Sequence, residues 1–134
     1  GVGGIFSARA CARLFGMLAN GGELDGVRIL SEKLVKTFNT PRRNSEEPDT
    51  VMFSIPLPLS IAGYWLGGDY RPVNAAKTPR AICHPGAGNS MAGADLDTGL
   101  AVSICHNRMF NAMTVEEDPL GPVADAVRQG LGLA

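Results

Sequence analysis

Two Cys-His dipeptides carry the residue types in this sequence that could bind a metal ion. Cys83-His84 and Cys105-His106 together offer two thiols and two imidazoles, which are ligands that zinc prefers. Adjacent residues of a β-strand point to opposite faces, so neither dipeptide can direct both side chains at one ion, and the sequence has no Cys-x-x-Cys pair. We therefore predict no metal site and no cofactor, and we expect the cysteines to act as small apolar side chains.

Ser90 lies in the run Gly88-Asn89-Ser90-Met91-Ala92, which approaches the Gly-x-Ser-x-Gly motif of a nucleophilic serine. That motif needs a strand, a sharp turn and then a helix, whereas a strand-like run follows Ser90. The partners that could complete a Ser, Asp, His order are Asp95 or Asp97 and His106, and they follow too closely for intervening elements to bring them together. We predict a hydrogen-bonded hydroxyl on a hairpin, and a nucleophilic Ser90 is the less favoured alternative.

The stretch His84-Pro85-Gly86-Ala87-Gly88 could also do chemistry. Its glycines do not form a phosphate-binding loop, because no Lys-Ser or Lys-Thr pair follows them. Glycine in a strand lets a ligand or another backbone approach closely, so the stretch predicts a strand edge that faces a cleft. His84 is then either a hydrogen-bonding group for a substrate or a residue of the cleft rim, and the residue types leave both interpretations open.

Three helices are predicted among the elements that must position these residues. Ser7 is a good N-cap for a first helix that ends at Asn20, and Ser31 caps a short second helix that ends before Pro41. Pro122 fits the first turn of a final helix. The expected buried faces, from helical spacing, are Cys11, Leu14, Phe15 and Leu18 in the first helix, Leu34, Val35 and Phe38 in the second, and Val123, Ala126 and Val127 in the third.

A hairpin is the strongest strand signal of the sequence. Residues 80–95 and 100–107 have the pattern of two extended segments, and the turn 96–99 between them ends in glycine, where a positive φ is favoured. The pair Asp25-Gly26 predicts a second tight turn. Loops are predicted at 40–50 and 69–79, and 51–66 is expected to be irregular and extended, ending in a strand at 63–66.

The composition is that of one globular domain. Of the 134 residues, 45% are hydrophobic and 19% are charged, which excludes a mainly disordered segment. A formal net charge of -1 gives no excess of cations for a nucleic-acid backbone. The longest apolar stretch, 51–66, contains two prolines, so no membrane-spanning helix is predicted. With 3 cysteines at least one thiol is free, and the sequence assigns no localisation.

Two stretches resemble the serine β-lactamase-related hydrolases, which comprise class C β-lactamases, DD-peptidases and esterases of one fold. Residues 4–31, with Asn20-Gly21-Gly22-Glu23-Leu24-Asp25-Gly26, are similar to the segment that follows the family's second catalytic motif. His84-Pro85-Gly86-Ala87-Gly88-Asn89-Ser90 and the hairpin after it resemble the third motif. That motif is Lys-Thr-Gly in penicillin-recognising members and often His-x-Gly in esterase-like members, so the His-Pro-Gly form favours ester hydrolysis.

The resemblance implies an α+β fold in which helices pack on an antiparallel sheet. Residues 1–134 would form a single C-terminal segment of a β-lactamase/transpeptidase-like domain. The resemblance also implies catalytic roles for His84, which would line the cleft, and for Ala87, whose backbone N–H would serve an oxyanion hole. Such a donor supplies roughly 3 to 4 kcal/mol of transition-state stabilisation. Gly86 and Gly88 are implied to bind substrate, Gly86 by keeping the strand edge open.

Two motifs of the family are missing from the chain. The family's nucleophile lies in Ser-x-x-Lys, and no serine here is followed three positions on by lysine. Neither Tyr64 nor Tyr70 begins a Tyr-x-Asn. In the family both motifs precede the segment that this chain resembles, so the implied partner is an upstream part of the same polypeptide. Lys77-Thr78-Pro79 is a rival placement of the third motif, but it lacks the glycine.

Two functions remain open at this point. In the first, the chain is the C-terminal part of a serine hydrolase that acts on a small ester or amide through an acyl-enzyme, and it is inactive alone. In the second, it is a non-catalytic binding or assembly module of the same shape. An unpaired sheet edge would favour a homodimer in either case. The choice among ester, lipid, β-lactam and peptidoglycan substrates is not assigned.

Overall fold

The computed structural model describes residues 3–52, 54–67, 78–86, 88–110 and 117–133 of the chain. None of the helices in these ranges is long and apolar enough to cross a membrane. In chain order the elements are α1 (Ala8–Ala19), β1 (Glu23–Leu24), β2 (Val27–Arg28), α2 (Glu32–Val35), β3 (Trp65–Leu66), β4 (Ala81–Pro85), β5 (Met91–Asp95), β6 (Ala101–Ile104) and α3 (Gly121–Gly130).

A four-stranded antiparallel sheet, in the order β3-β4-β5-β6, forms the centre of the structure. Ile82 and Cys83 mark its two faces, because adjacent residues of a strand alternate. Phe15 of α1 packs in the cluster that contains Ile82. On the other face, Ala124 of α3 packs against Met91. The layers are therefore helix, sheet and helix, and the predicted α+β arrangement of helices on an antiparallel sheet is confirmed.

Local capping and turn signals are confirmed at three positions. The Ser7 hydroxyl accepts a hydrogen bond from the Ala10 N–H at 3.2 Å at the start of α1. Ser31 caps α2 in the same way. Asp25 and Gly26 join β1 to β2 with φ of 52° and 78°, the left-handed pair that a tight hairpin turn requires.

The predicted buried faces of the first two helices are wrong at one leucine each. Leu14 is 47% exposed and Leu34 is 46% exposed. The first helix buries Phe15 and Leu18 as predicted, and it buries Met17 as well. Helical spacing alone did not indicate Met17, which packs with the other two in the cluster under the sheet.

The predicted apolar face of α3 is wrong because the helix turns Arg128 to the sheet. The guanidinium Nη1 donates a hydrogen bond to Asp95 Oδ2 at 3.1 Å, and Ala124, one turn earlier, is fully buried. A hydropathy pattern treats arginine as a surface residue, so it rotates the expected face away from the observed one. The residues of the predicted face, which are exposed, are Val123, Ala126 and Val127.

Residues 80–95 are two strands and not one extended segment. The chain reverses between β4 and β5 through residues 86–90, and the Asn89 N–H donates to the Gly86 carbonyl at 3.0 Å. The turn predicted at 96–99 is confirmed between β5 and β6. The strand predicted at 63–66 is β3, residues 40–50 contain no helix or strand, and the predicted loop at 69–79 lies outside the described residues except for 78 and 79.

Candidate active site

The C-terminal end of β4 places His84 on the surface. Cys83 is fully buried and His84 is exposed, so the two side chains point to opposite faces, as the alternation of a strand predicts. Nδ1 of His84 lies 2.9 Å from the Pro85 carbonyl oxygen. The tautomer with a proton on Nδ1 donates to that oxygen, and it leaves Nε2 as an acceptor directed elsewhere.

One edge of β4 is open beyond Cys83. The partner strand β3 pairs only with Ile82 and Cys83. The Gly67 N–H donates to the Ala81 carbonyl at 2.8 Å, so the odd-numbered residues of β4 direct their backbone groups to the β3 side. Among the described residues, no strand pairs with Pro85 on that side, and proline has no N–H to offer there.

The even-numbered residues of β4 direct their backbone groups to β5. The Gly86 N–H donates to the Ser90 carbonyl at 2.6 Å and closes the turn between the strands. A Cβ at Gly86 would lie 3.1 Å from that same oxygen, so a side chain would crowd the closure. Gly86 therefore allows a close backbone approach, although the approaching group is the chain itself. Ala87, the predicted oxyanion donor, lies outside the described residues.

Gly88 occupies the left-handed region and is covered by the segment after β6. Its φ is 83°, and a Cβ built on it would lie 3.0 to 3.1 Å from Cγ, Cα and Cβ of Met109. The Phe110 N–H donates to the Gly88 carbonyl at 3.3 Å. His84, Gly86 and Gly88 thus lie together at one end of the sheet, and the contact with Met109 adds a residue to which the sequence assigned no role in the site. Nothing in the local sequence signals that contact.

Ser90 has neither the context nor the partners of a catalytic serine. Strand β5 follows it directly, where a nucleophile elbow needs a helix. Asp95 lies at the other end of β5, about 16 Å away along five residues, and its carboxylate accepts a hydrogen bond from Arg128. His106 lies near the Ser90 end, and among the described residues neither of its ring nitrogens has a hydrogen-bond partner. The described residues therefore support the hairpin interpretation of Ser90.

The cysteines do not form a reactive or metal-binding centre in the described part of the chain. Burial raises the pKa of the Cys83 thiol to about 12, so it is protonated at neutral pH and is a poor nucleophile. Cys105 is exposed. No group of three or more His, Cys, Asp or Glu side chains that could hold a metal ion occurs among the residues described.

The rival motif at Lys77-Thr78-Pro79 lies at the wrong end of β4 for a shared site with His84. The Thr78 carbonyl accepts a hydrogen bond from the Ala81 N–H at 3.0 Å, just before β4 begins. Lys77 lies outside the described residues. The two motif placements are therefore separated by the length of β4.

The chain is similar to a curated protein and to solved structures. It is 35% identical over 114 residues to a Mycobacterium tuberculosis protein named esterase/β-lactamase LipL, and the match covers 85% of this chain and 24% of that protein. A family VIII carboxylesterase matches with a TM-score of 0.67 and 25% identity, over 87% of this chain and 30% of that one. A penicillin-binding protein homologue from Caulobacter crescentus matches with a TM-score of 0.70 and 28% identity, over 90% and 31%. No family model matches the chain.

These matches confirm the resemblance that residues 4–31 and 84–90 predicted. The relatives carry the names esterase, β-lactamase, carboxylesterase and penicillin-binding protein homologue. The β-lactamase/transpeptidase-like fold is confirmed by the two solved structures. The chain spans about a quarter to a third of the length of these proteins.

Proposed function

We propose that the chain is the C-terminal part of an enzyme that hydrolyses an ester or amide through an acyl-enzyme, because it is similar to proteins named esterase, β-lactamase, carboxylesterase and penicillin-binding protein homologue. The observation that carries the proposal is the open edge of β4 next to His84. An acyl-transfer enzyme needs backbone donors aimed at a developing oxyanion. Pro85 at the open edge has no N–H, so the donor that the family resemblance implies is the N–H of Ala87, two residues further along the chain.

The family resemblance implies Ala87 as the oxyanion donor, and the two residues before it do not compete for that role. Odd-numbered residues direct their backbone groups to the open edge, Pro85 has no N–H, and the Gly86 N–H is used by the Ser90 carbonyl. In this proposal Gly86 keeps the strand closed tightly on β5, Gly88 allows the turn, and His84 lines the cleft with Nε2 available to a substrate.

The nucleophile and its base would come from an upstream part of the same polypeptide. No serine of this chain begins a Ser-x-x-Lys motif, so the acyl-enzyme has to form elsewhere. Within the described residues β6 pairs with β5 alone, and its other edge is unpaired. We assign that edge to a strand of the upstream part, which would continue the sheet. The His-Pro-Gly form of the third motif supports an ester rather than a β-lactam or a peptide as substrate.

A non-catalytic binding or assembly module is the second candidate function. It is favoured by the absence of both Ser-x-x-Lys and Tyr-x-Asn from the chain. In that case the unpaired edge of β6 would pair with the same edge of a second copy, and the chain would form a homodimer. Size-exclusion chromatography with light scattering tests this arrangement, because a monomeric chain at micromolar concentration contradicts a β6-to-β6 dimer.

The deciding experiment is intact-mass analysis after incubation with a fluorophosphonate, which attaches covalently to an activated serine. The 134-residue chain and the full-length polypeptide that carries it are treated in parallel, with Ser90→Ala of each as the matched control. A single adduct on the full-length polypeptide and none on the short chain support the proposal. An adduct on the short chain that Ser90→Ala abolishes places the nucleophile at Ser90 and contradicts it. No adduct on either chain supports the non-catalytic module.

A further inference from the structure

Met109 combines an apolar side chain with high exposure at the edge of the candidate site. It is 76% exposed, although methionine is among the residues that are most often buried. The Cα, Cβ and Cγ atoms of Met109 lie next to Gly88. Gly88 is in the same turn as Gly86 and is one residue from the proposed oxyanion donor. Within this chain the side chain is therefore uncovered next to the turn that precedes β5, and it is available to contact an apolar ligand there.

The backbone that carries Met109 is held on both sides of the residue. The Phe110 N–H donates to the Gly88 carbonyl at 3.3 Å, which ties the segment to the turn. The Phe110 ring lies 5.0 Å from the His106 ring, and the Arg108 guanidinium lies 5.3 Å above it. These contacts fix the position of the Met109 Cα, whereas the residue as a whole is largely exposed.

The chemistry of methionine fits a surface that accommodates hydrocarbon chains of different shape. Its side chain is unbranched, has three rotatable bonds and ends in a polarisable thioether, so it can repack around a ligand. Exposing such a side chain to water has no benefit for the folded chain by itself, because apolar surface is stabilised by removal from water. A substrate that covers Met109 would gain that burial.

We propose that Met109 is a specificity-determining residue that contacts an alkyl chain of the ester substrate. This inference rests on the proposed function, because the alkyl chain reaches Met109 only if the ester carbonyl binds at the open end of β4. The alkyl chain can belong to the acyl group or to the alcohol, which are chemically equivalent as partners for a thioether, and the experiment distinguishes them.

The test uses the full-length polypeptide and two series of esters, one with acyl chains of two to eight carbons on a common leaving group and one with alcohols of increasing length on a common acyl group. Three variants are compared with the wild type. Met109→Gln keeps the length of the side chain and makes it polar, and Met109→Leu keeps it apolar. Val51→Ala changes an apolar residue that is 90% exposed and lies between the bridged Pro48 and Pro56, outside the strands of the candidate site.

We expect Met109→Gln to lower the ratio of kcat/KM for the longest to the shortest ester by roughly five- to tenfold, because one lost apolar contact in a binding surface costs on the order of a tenfold factor. Met109→Leu and Val51→Ala should leave that ratio within about twofold, since one keeps an apolar contact and the other is remote. The series that responds, acyl or alcohol, identifies the chain that touches Met109.

Two results overturn the inference, and they are distinguishable. If the wild type hydrolyses the esters and Met109→Gln changes every chain length by the same factor, Met109 does not select substrates and the proposed function stands. If the wild type hydrolyses none of the esters and gains no fluorophosphonate adduct, the proposed function fails together with the inference.

Discussion

The buried ion pair between Asp95 and Arg128 predicts a large loss of stability for Asp95→Asn. The two side chains are 1% and 6% exposed, and they join the end of β5 to α3 across the sheet face. Asparagine keeps an oxygen that can accept the hydrogen bonds now made by the Asp97 and Thr98 N–H groups, at 3.0 and 3.2 Å. The substitution therefore removes the negative charge with little change in the turn.

The expected cost comes from the cation that remains. Breaking a buried ion pair by removing one partner costs about 3 to 5 kcal/mol, because it leaves an uncompensated charge away from water. Asp97→Asn is the matched control, since it is the same substitution in the same turn. Asp97 pairs with Arg80 at 2.9 Å, but both side chains are nearly half exposed, and such pairs contribute about 0.2 to 1 kcal/mol.

The assay is urea unfolding of the 134-residue chain, followed by the fluorescence of its single tryptophan. Trp65 packs in the cluster with Ala81 and Cys83, on the sheet face that also carries Asp95. A lower unfolding midpoint for Asp95→Asn, with the control close to the wild type, is the expected result. Equal losses for the two variants would refute the reasoning, because burial would then make no difference to the value of the pair.

The stability of Asp95→Asn should also depend on pH differently from that of the wild type. Burial by itself raises the pKa of Asp95, but hydrogen bonds from Asp97, Thr98 and Arg128 outweigh it and hold the pKa below the usual 3.8. A carboxyl group with a lower pKa in the folded chain stabilises it above the unfolded pKa, and this contribution is lost as the pH falls through the folded pKa. Below about pH 4 the wild type should lose stability faster than Asp95→Asn, so the two curves converge in acid.

Two further substitution and labelling experiments test the neighbourhood of the candidate site. Gly88→Ala should destabilise the chain in urea by about 1 to 3 kcal/mol more than Gly99→Ala. Both glycines have a positive φ, but only at Gly88 would the new Cβ meet backbone and side-chain atoms of Met109. Equal losses of stability would mean that the Met109 contact does not constrain the turn. Iodoacetamide at pH 8 should label Cys105 in the folded chain and leave Cys83 unmodified until urea is added. The reason is that Cys83 is buried and its pKa is raised to about 12, whereas Cys105 is exposed. Labelling of Cys83 at the rate of Cys105 would show that β4 opens to solvent.

The sequence was informative where structure is set within a few residues. Ser7, Ser31 and the Asp25-Gly26 turn act through their own backbone neighbours, so residue type and spacing predict them. The Gly88-Asn89 pair is also a local hairpin signal, and its φ values are 83° and 75°. When the glycines are interpreted as part of a strand edge that faces a cleft, the turn between β4 and β5 is not predicted. The error was to prefer the strand pattern around these glycines over the turn signal of the Gly-Asn pair.

Contacts between distant parts of the chain could not be predicted in the same way. Arg128 and Asp95 are 33 positions apart, and their pairing decides which face of α3 is buried. Met109 reaches Gly88 because β6 lies beside β5 and carries the chain past the turn at 86–90. Helical periodicity and turn propensity contain no information on such distances, since they describe only the nearest few residues. The family resemblance supplied the site that these signals could not.

The hairpin formed by β4 and β5 is held at both of its ends by contacts within the described residues. At its near end, the Phe110 N–H and Met109 cover Gly88, and at the far end of β5 the Asp95–Arg128 pair fixes the strand against α3. Neither contact needs an upstream segment, so the open edge beside His84 is a property of the residues described. If the nucleophile is supplied from upstream, it would then meet an edge that is already formed, which is the preorganisation that oxyanion stabilisation requires. Loosening the Asp95–Arg128 pair should consequently lower stability well before it changes the substrate selectivity that we propose for Met109.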